Sequence, residues 1–297
     1  MKLWQKRKKL KKIYLEITNN CNLACAFCAP TSRKKKYMSV EDFFHILEKI
    51  EGRAEILYLH VMGEPLLHPQ IDVCVNEAVK KGFKVHITSN GSLLSQVRDT
   101  LVDTGLKRLN LSLQSLEQFP AKKRAEKTIE ILEAVDFLLE KNKNLFVSLR
   151  LWTQDKKTFT QEITSYLENY FSLPHLEIEK RLLEKNSFLI HPRLAIHAAD
   201  SFDWPDTSQP FVGERGFCMG LRDQAAILCD GSLVPCCLDR NGAIKLGNLL
   251  EEDWDEIMQS KRASTFYEAF SERRVVETIC KHCSYRLRFD KEIGKNI

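Results

Sequence analysis

"IYLEITNNCNLACAFCAP", residues 13–30, is the stretch on which the fold turns. Its first residues alternate apolar and polar side chains, which is the period of a strand. Directly after it come Cys21, Cys25 and Cys28, three thiols in one loop. Pairwise disulfides would leave one thiol over. In parallel βα proteins the loop after a strand lies at the carboxyl end of the sheet, where such folds place their chemistry.

The same alternation recurs along the chain. "EILYLHV" (55–61), "FKVHITS" (83–89), "KRLNLSLQ" (107–114), "LFVSLRLW" (145–152) and "HLEIEKRL" (175–182) read as strands two to six, each followed or preceded by a helical pattern. Ser39 reads as the N-cap of a helix over 39–50, with Asp42 at the reciprocal position. Repeated βα units imply parallel strands joined by right-handed crossovers. In these strands Leu15, Ile17, Leu57, Leu59, Val85, Ile87, Leu109, Leu111, Val147 and Leu149 fall on one face. Glu16, Thr18, His60, His86, Thr88, Asn110, Ser112, Gln114, Ser148, Arg150, Glu177 and Glu179 fall on the other. A flat sheet covered on both sides would be apolar on both. One apolar and one polar face point to a curved sheet around a polar lumen, with a two-layer α+β sheet as the alternative. The expected fold class is α/β, a partial (β/α)6 TIM-like barrel with a small C-terminal cysteine-rich module. The barrel is expected over residues 1–182, a connector over 183–210 and the module over 211–297.

The chain has 297 residues, 43% hydrophobic and 29% charged, which excludes disordered and fibrous classes. Its charged start is not followed by a long apolar run, and no stretch is long enough to span a membrane, so a soluble cytoplasmic protein without membrane association is expected. Part of the net charge of +5 lies in the runs 6–12 and 33–36. Such runs read as solvated surface or as contacts to phosphates. Ten cysteines in a reducing compartment point to metal ligation or redox chemistry. Cys74 stands alone in a helical pattern and reads as a packed thiol.

Three thiolates supply one fewer ligand than a four-iron cluster has irons, so one iron would stay open for a small molecule. A zinc completed by a distant ligand is the alternative. Cys21-x3-Cys25-x2-Cys28, with Phe27 before the last cysteine, resembles the motif of the radical S-adenosylmethionine superfamily. That resemblance implies a [4Fe-4S] cluster on the three cysteines. Bound S-adenosylmethionine would be reductively cleaved to a 5′-deoxyadenosyl radical, which abstracts hydrogen from a substrate. It also implies an oxidoreductase served by an electron donor such as flavodoxin or ferredoxin. "MGEP" (62–65) resembles the family's Gly-Gly-Glu segment. It puts Gly63 and Glu64 at the methionine amino group, with Met62 in place of the first glycine. Asn90 in "TSNG", and Ser112 and Gln114 in "SLQS", fall where the family contacts cofactor or substrate. Inward Arg150 is expected on the cofactor's carboxylate, or in an ion pair with Glu177 or Glu179. His60 and His86 read as substrate contacts or as core histidines.

A second group holds Cys218, Cys229, Cys236, Cys237, Cys280 and Cys283. "ILCDGSLVPC" reads as a hairpin turning at Asp230-Gly231. Cys218…Gly231-x4-Cys236 followed by "LGN" resembles a SPASM-type extension, shortened here. The resemblance implies one auxiliary [4Fe-4S] cluster on Cys218, Cys236, Cys280 and Cys283, with Cys237 able to replace Cys236 and Cys229 as packing or spare. Zinc in the same four sulfurs is the alternative. The expected function is radical modification of a peptide or protein. Modification of RNA or of a small molecule, and a non-enzymatic iron–sulfur or zinc relay, are the other readings.

Overall fold

The computed structural model describes residues 9–153 and 159–290; residues 6–8 of the first basic run lie outside the described residues. The elements, in chain order, are β1 (Leu10–Leu15), α1 (Val40–Ile50), β2 (Ala54–Tyr58), α2 (Ile71–Lys80), β3 (Lys84–Ser89), α3 (Leu94–Val102), β4 (Arg108–Ser112), α4 (Ala121–Lys141), β5 (Phe146–Thr153), α5 (Phe159–Tyr170), α6 (Glu177–Glu184), β6 (Ser187–His191) and β7 (Leu194–Asp200). The C-terminal part adds β8 (Gln224–Ile227), β9 (Ser232–Val234), β10 (Gly247–Asn248), α7 (Trp254–Gln259), α8 (Lys261–Ser271) and α9 (Thr278–Lys281).

All ten strands form one sheet, in the order β10-β9-β8-β1-β2-β3-β4-β5-β7-β6. Strands β1 to β5 and β7 run parallel and make the six-stranded core of a partial α/β barrel. Its outward residues Ile13, Leu15, Leu57, Val85, Ile87, Leu109, Val147, Leu149 and Ile196 are all buried. They pack with Phe43 and Ile46 of α1, Val75 of α2, Leu101 of α3 and Val135 of α4 in one continuous core. The helices start where the chain supplies caps: Ser39 Oγ accepts from the Asp42 N–H at 3.0 Å.

The sixth strand is not where alternation puts it. Residues 175–182 contain α6, so Glu177 and Glu179 are helical and do not line the lumen. Leu176 and Ile178 mimic a strand period, but the Glu168 carboxylate accepts from the N–H groups of Leu176 (3.1 Å) and Ile178 (2.9 Å), which satisfies amides at the start of a helix. The strand that closes the parallel set is β7, paired to β5 from Val147↔Leu194 to Thr153↔Asp200 and reached through an antiparallel turn from β6. The barrel sheet thus extends to Asp200, through residues expected in the connector.

The C-terminal part is joined to the barrel by its backbone. β8 pairs parallel with the free edge of β1, from Lys12↔Gln224 to Leu15↔Ile227. The hairpin from β8 to β9 turns at Asp230-Gly231 as its sequence predicts, with Gly231 at φ +84°. Among the described residues no helix is long and apolar enough to cross a membrane.

Candidate functional site

The cysteine loop leaves β1 and is closed at its base by the residues around it. The Asn19 side chain donates to the Lys34 carbonyl (3.0 Å) and accepts from the Lys36 N–H (2.8 Å), while Lys35 Nζ donates to the Asn19 carbonyl at 2.7 Å. Arg33 makes a two-pronged pair with the fully buried Glu16, both contacts 2.6 Å. The basic run 33–36 is therefore in part the clamp of the loop rather than free solvated charge. Cys21, Cys25 and Cys28 face one another closely enough that Cys25 is pushed up to about 12, by burial first and then by its two neighbours. Three thiols on one loop suit a multiply charged iron centre, which would displace their protons.

The segment that follows β2 lies against this loop. Gly63 has φ +79°, and a Cβ there would sit 2.6 Å from the carbonyl oxygens of Thr18 and Asn20. The next N–H, of Glu64, donates to the Asn20 carbonyl at 2.7 Å. Gly63→Ala combines a left-handed backbone with that clash. It is expected to cost upwards of about 1–3 kcal/mol and to lower iron uptake, read by thermal denaturation and iron analysis of the same preparation.

Glu64 is buried, and its carboxylate accepts from the N–H groups of Leu66 (2.9 Å) and Asn90 (2.7 Å). Burial still pushes it up to about 7. Asn90 is more than a turn residue: its amide donates to Asn22 at 3.0 Å and lies 3.8 Å from Cys21 Sγ. Phe27 meets Trp152 edge to face, and its carbonyl accepts from the Trp204 indole N–H at 3.1 Å.

These groups surround a cavity of about 760 Å³ whose wall includes Cys21, Cys25, Cys28, Phe27, Gly63, Glu64, Asn90, Ser112, Gln114 and Arg150. Gln114 Oε1 is buried there without a hydrogen-bond partner. Arg150 contacts the Trp152 ring and, among the described residues, has no ion pair; the Glu177 carboxylate instead holds Arg181 at 2.7 Å. Burial, then Arg150 beside it, pushes His60 down to about 3, and burial pushes His86 down to about 4. Both histidines are thus neutral near pH 7, and His60 lines the lumen while His86 does not.

Cys218, Cys236, Cys280 and Cys283 line a separate, largely apolar cavity. Four thiols around one space match the donor set of a fully ligated cluster. Arg286 binds this region together: its guanidinium donates to the carbonyls of Cys280 (3.1 Å), Arg215 (2.8 Å) and Gly213 (2.7 Å). Cys237 turns away from the four and lines the lumen. Cys229 is buried elsewhere, its N–H donating to Glu16 at 2.9 Å.

Several functional contacts carry no local sequence signal. Arg240 donates to the Pro30 carbonyl at 3.1 Å and pairs with Asp206 at 2.9 Å, so the C-terminal part holds the cysteine loop. Lys12, Trp152, His197, Trp204, Tyr285 and Arg288 complete the lumen. Only the alternation of β1 and β5 could have pointed to Lys12 and Trp152.

The chain matches the family model of the radical SAM superfamily over residues 15–156 and that of SPASM, an iron–sulfur cluster-binding domain, over residues 218–284. The GTP 3′,8-cyclase of Sulfurovum sp. (strain NBC37-1) is 26% identical over 282 residues, 80% of this chain and 84% of that protein. Matches to other curated relatives cover about half of those proteins or less. BtrN solved with AdoMet and 2-DOIA superposes with a TM-score of 0.57 at 16% identity over 94% of both chains. Streptococcus suis SuiB bound to S-adenosylmethionine superposes with a TM-score of 0.53 at 16% identity, over 95% of this chain and 75% of that one. At such identity these two likenesses speak for the fold.

Proposed function

This chain belongs to the radical S-adenosylmethionine superfamily and carries its SPASM iron–sulfur region, and from that premise we propose that it abstracts hydrogen from a compact substrate held in the barrel lumen. The observation that carries the reading is the single cavity walled by Cys21, Cys25, Cys28, Glu64 and Arg150. Cys21, Cys25 and Cys28 would hold a [4Fe-4S] cluster with one open iron. Cys218, Cys236, Cys280 and Cys283 would hold the auxiliary one. A loaded first cluster supplies one-electron reduction of S-adenosylmethionine, with flavodoxin or ferredoxin as the donor class. Glu64 would bind the cofactor's ammonium and Arg150 its carboxylate, each a charge-assisted contact. Ser112, Gln114 and Asn90 supply further polar contacts, and Phe27 packs beneath Trp152.

A lumen of about 760 Å³ is within the size range of sites for one or two small molecules. With the cofactor inside, the remaining space suits a small polar molecule. The second reading is a peptide that inserts one side chain, which the SPASM region favours. The RNA reading loses support, because Arg33 is paired to Glu16 and Lys35 to the Asn19 carbonyl.

The test is anaerobic reconstitution followed by dithionite and S-adenosylmethionine, with 5′-deoxyadenosine measured by mass spectrometry. Product is expected; none from protein with a verified four-iron signal would refute the reading. Glu64 adds a pH signature. Its ionised form binds the ammonium, and its pKa of about 7 means that it is mostly neutral at pH 6. Affinity for S-adenosylhomocysteine is therefore expected to rise by about tenfold from pH 6 to pH 8. Glu64→Gln should bind weakly with that rise removed. Isothermal titration across the range checks both.

A further inference from the structure

The adjacent cysteines 236 and 237 serve two different spaces. Cys236 shares a cavity wall with Cys218, Cys280 and Cys283, whereas Cys237 lines the lumen. It is not part of either proposed ligand set, and it is the one thiol of the lumen wall outside the Cys21–Cys28 loop. Cys237 packs against the apolar cluster that contains Tyr14 and Met62. Tyr14 is itself fixed by stacking on Tyr58, with ring centroids 4.8 Å apart and planes 15° from parallel. The cavity is built for a polar ligand on independent grounds: Gln114 Oε1 is buried in its wall with no partner, and Arg150 has no ion pair there among the described residues. A thiol in the wall of a site for carbon radicals has one evident chemistry. Its S–H bond is weaker than an alkyl C–H bond, so transfer of a hydrogen atom to a carbon radical is downhill.

We infer that Cys237 is the hydrogen-atom donor of the lumen, a catalytic thiol that quenches a carbon-centred radical held against it. The inference rests on the radical reading above. The step balances as follows. The S–H bond breaks and a C–H bond forms, so a carbon radical and the thiol become a closed-shell C–H product and a Cys237 thiyl radical. The thiyl then takes one electron from the same low-potential donor that drives cofactor cleavage. It takes one proton from solvent, and the thiol is restored. With substrate bound, the radical quenched is the substrate's, and the product keeps the hydrogen that Cys237 delivers. With no substrate, the radical in the lumen is the 5′-deoxyadenosyl radical itself.

That second case makes the test independent of the substrate's identity. The holoenzyme is turned over in D₂O with S-adenosylmethionine and dithionite and no other addition. 5′-Deoxyadenosine is analysed by mass spectrometry, and iron per chain is counted beforehand. In the wild type most of the 5′-deoxyadenosine is expected to carry one deuterium, because an S–H hydrogen exchanges with solvent. In Cys237→Ser, near-isosteric but with an O–H bond too strong to donate, and in Cys237→Ala, the deuterated fraction should fall at least tenfold with iron content unchanged. Cys236→Ser should behave oppositely and lose iron. A deuterated fraction that is unchanged in both Cys237 variants overturns the inference and leaves the radical reading standing. Loss of iron from Cys237→Ser also overturns it, by making that thiol a ligand. Absence of 5′-deoxyadenosine from the wild type overturns the radical reading and the inference together.

Discussion

Cys25→Ala is expected to abolish 5′-deoxyadenosine formation and to remove about four of about eight irons per chain, leaving the C-terminal site filled. The middle cysteine of the loop is the sharpest probe because of its surroundings. Burial and the flanking Cys21 and Cys28 push it up to about 12, so the apoprotein holds it protonated between two other thiols. A strongly electrophilic centre that binds the three as thiolates would displace that proton. Alanine leaves two sulfurs, one of them from a residue whose backbone turn, the Cys28 N–H to the Cys25 carbonyl at 3.0 Å, survives the change. The loop keeps its shape while its donor set is broken, and the loss is chemical rather than structural. Cys280→Ala is the companion measurement: it should cost the other half of the iron. Iron analysis, mass spectrometry and thermal denaturation of the two variants separate the sites. Turnover retained in Cys25→Ala would place the cofactor's reduction elsewhere.

How far this architecture can be read from sequence depends on the range of the contact that fixes each part. β1 to β5 were legible because each sets strong outward residues, such as Ile13, Leu15, Leu109 and Leu149, against polar inward ones. β7 was not, because Ala195, Ala198 and Ala199 give almost no amplitude to the alternation that marks a strand. Residues 175–182 showed a strand's period over a few positions, while a carboxylate from the preceding helix, Glu168, set the outcome. The three loop cysteines were legible since their ligation is local. Spacing left Cys236 and Cys237 interchangeable, and only their placement in two cavities separates them. The contacts of Arg240, Trp204 and Arg286 join residues far apart in the chain and leave no periodic trace.

Arg33→Met is expected to destabilise the protein by about 3–5 kcal/mol, the largest effect foreseen for any residue that touches neither cluster nor cofactor. Glu16 is fully buried directly after β1, and its two oxygens serve three separate parts of the chain. Oε1 accepts from the Met62 N–H at 3.0 Å, in the segment that follows β2, beside Gly63 and Glu64. Oε2 accepts from the Cys229 N–H at 2.9 Å, where the C-terminal hairpin turns. Both take a guanidinium contact from Arg33, at the far end of the cysteine loop. Without Arg33 the carboxylate keeps two amide donors but loses its only counter-charge among the described residues, and an uncompensated buried charge is the costly outcome. Glu16→Gln is expected to be milder, since Arg33 is slightly exposed and keeps its 2.7 Å contact to the Arg240 carbonyl. In the double variant, Glu16→Gln with Arg33→Met, no charge is left to desolvate. Its loss should therefore fall well short of the sum of the two single losses. Chemical denaturation of the four proteins closes this cycle, and strict additivity would mean that the pair is not coupled. Because the same carboxylate ties the cysteine loop to the segment after β2 that carries Glu64, Arg33→Met should also weaken S-adenosylhomocysteine binding in the protein that remains folded. A change confined to stability would assign Glu16 to the fold alone.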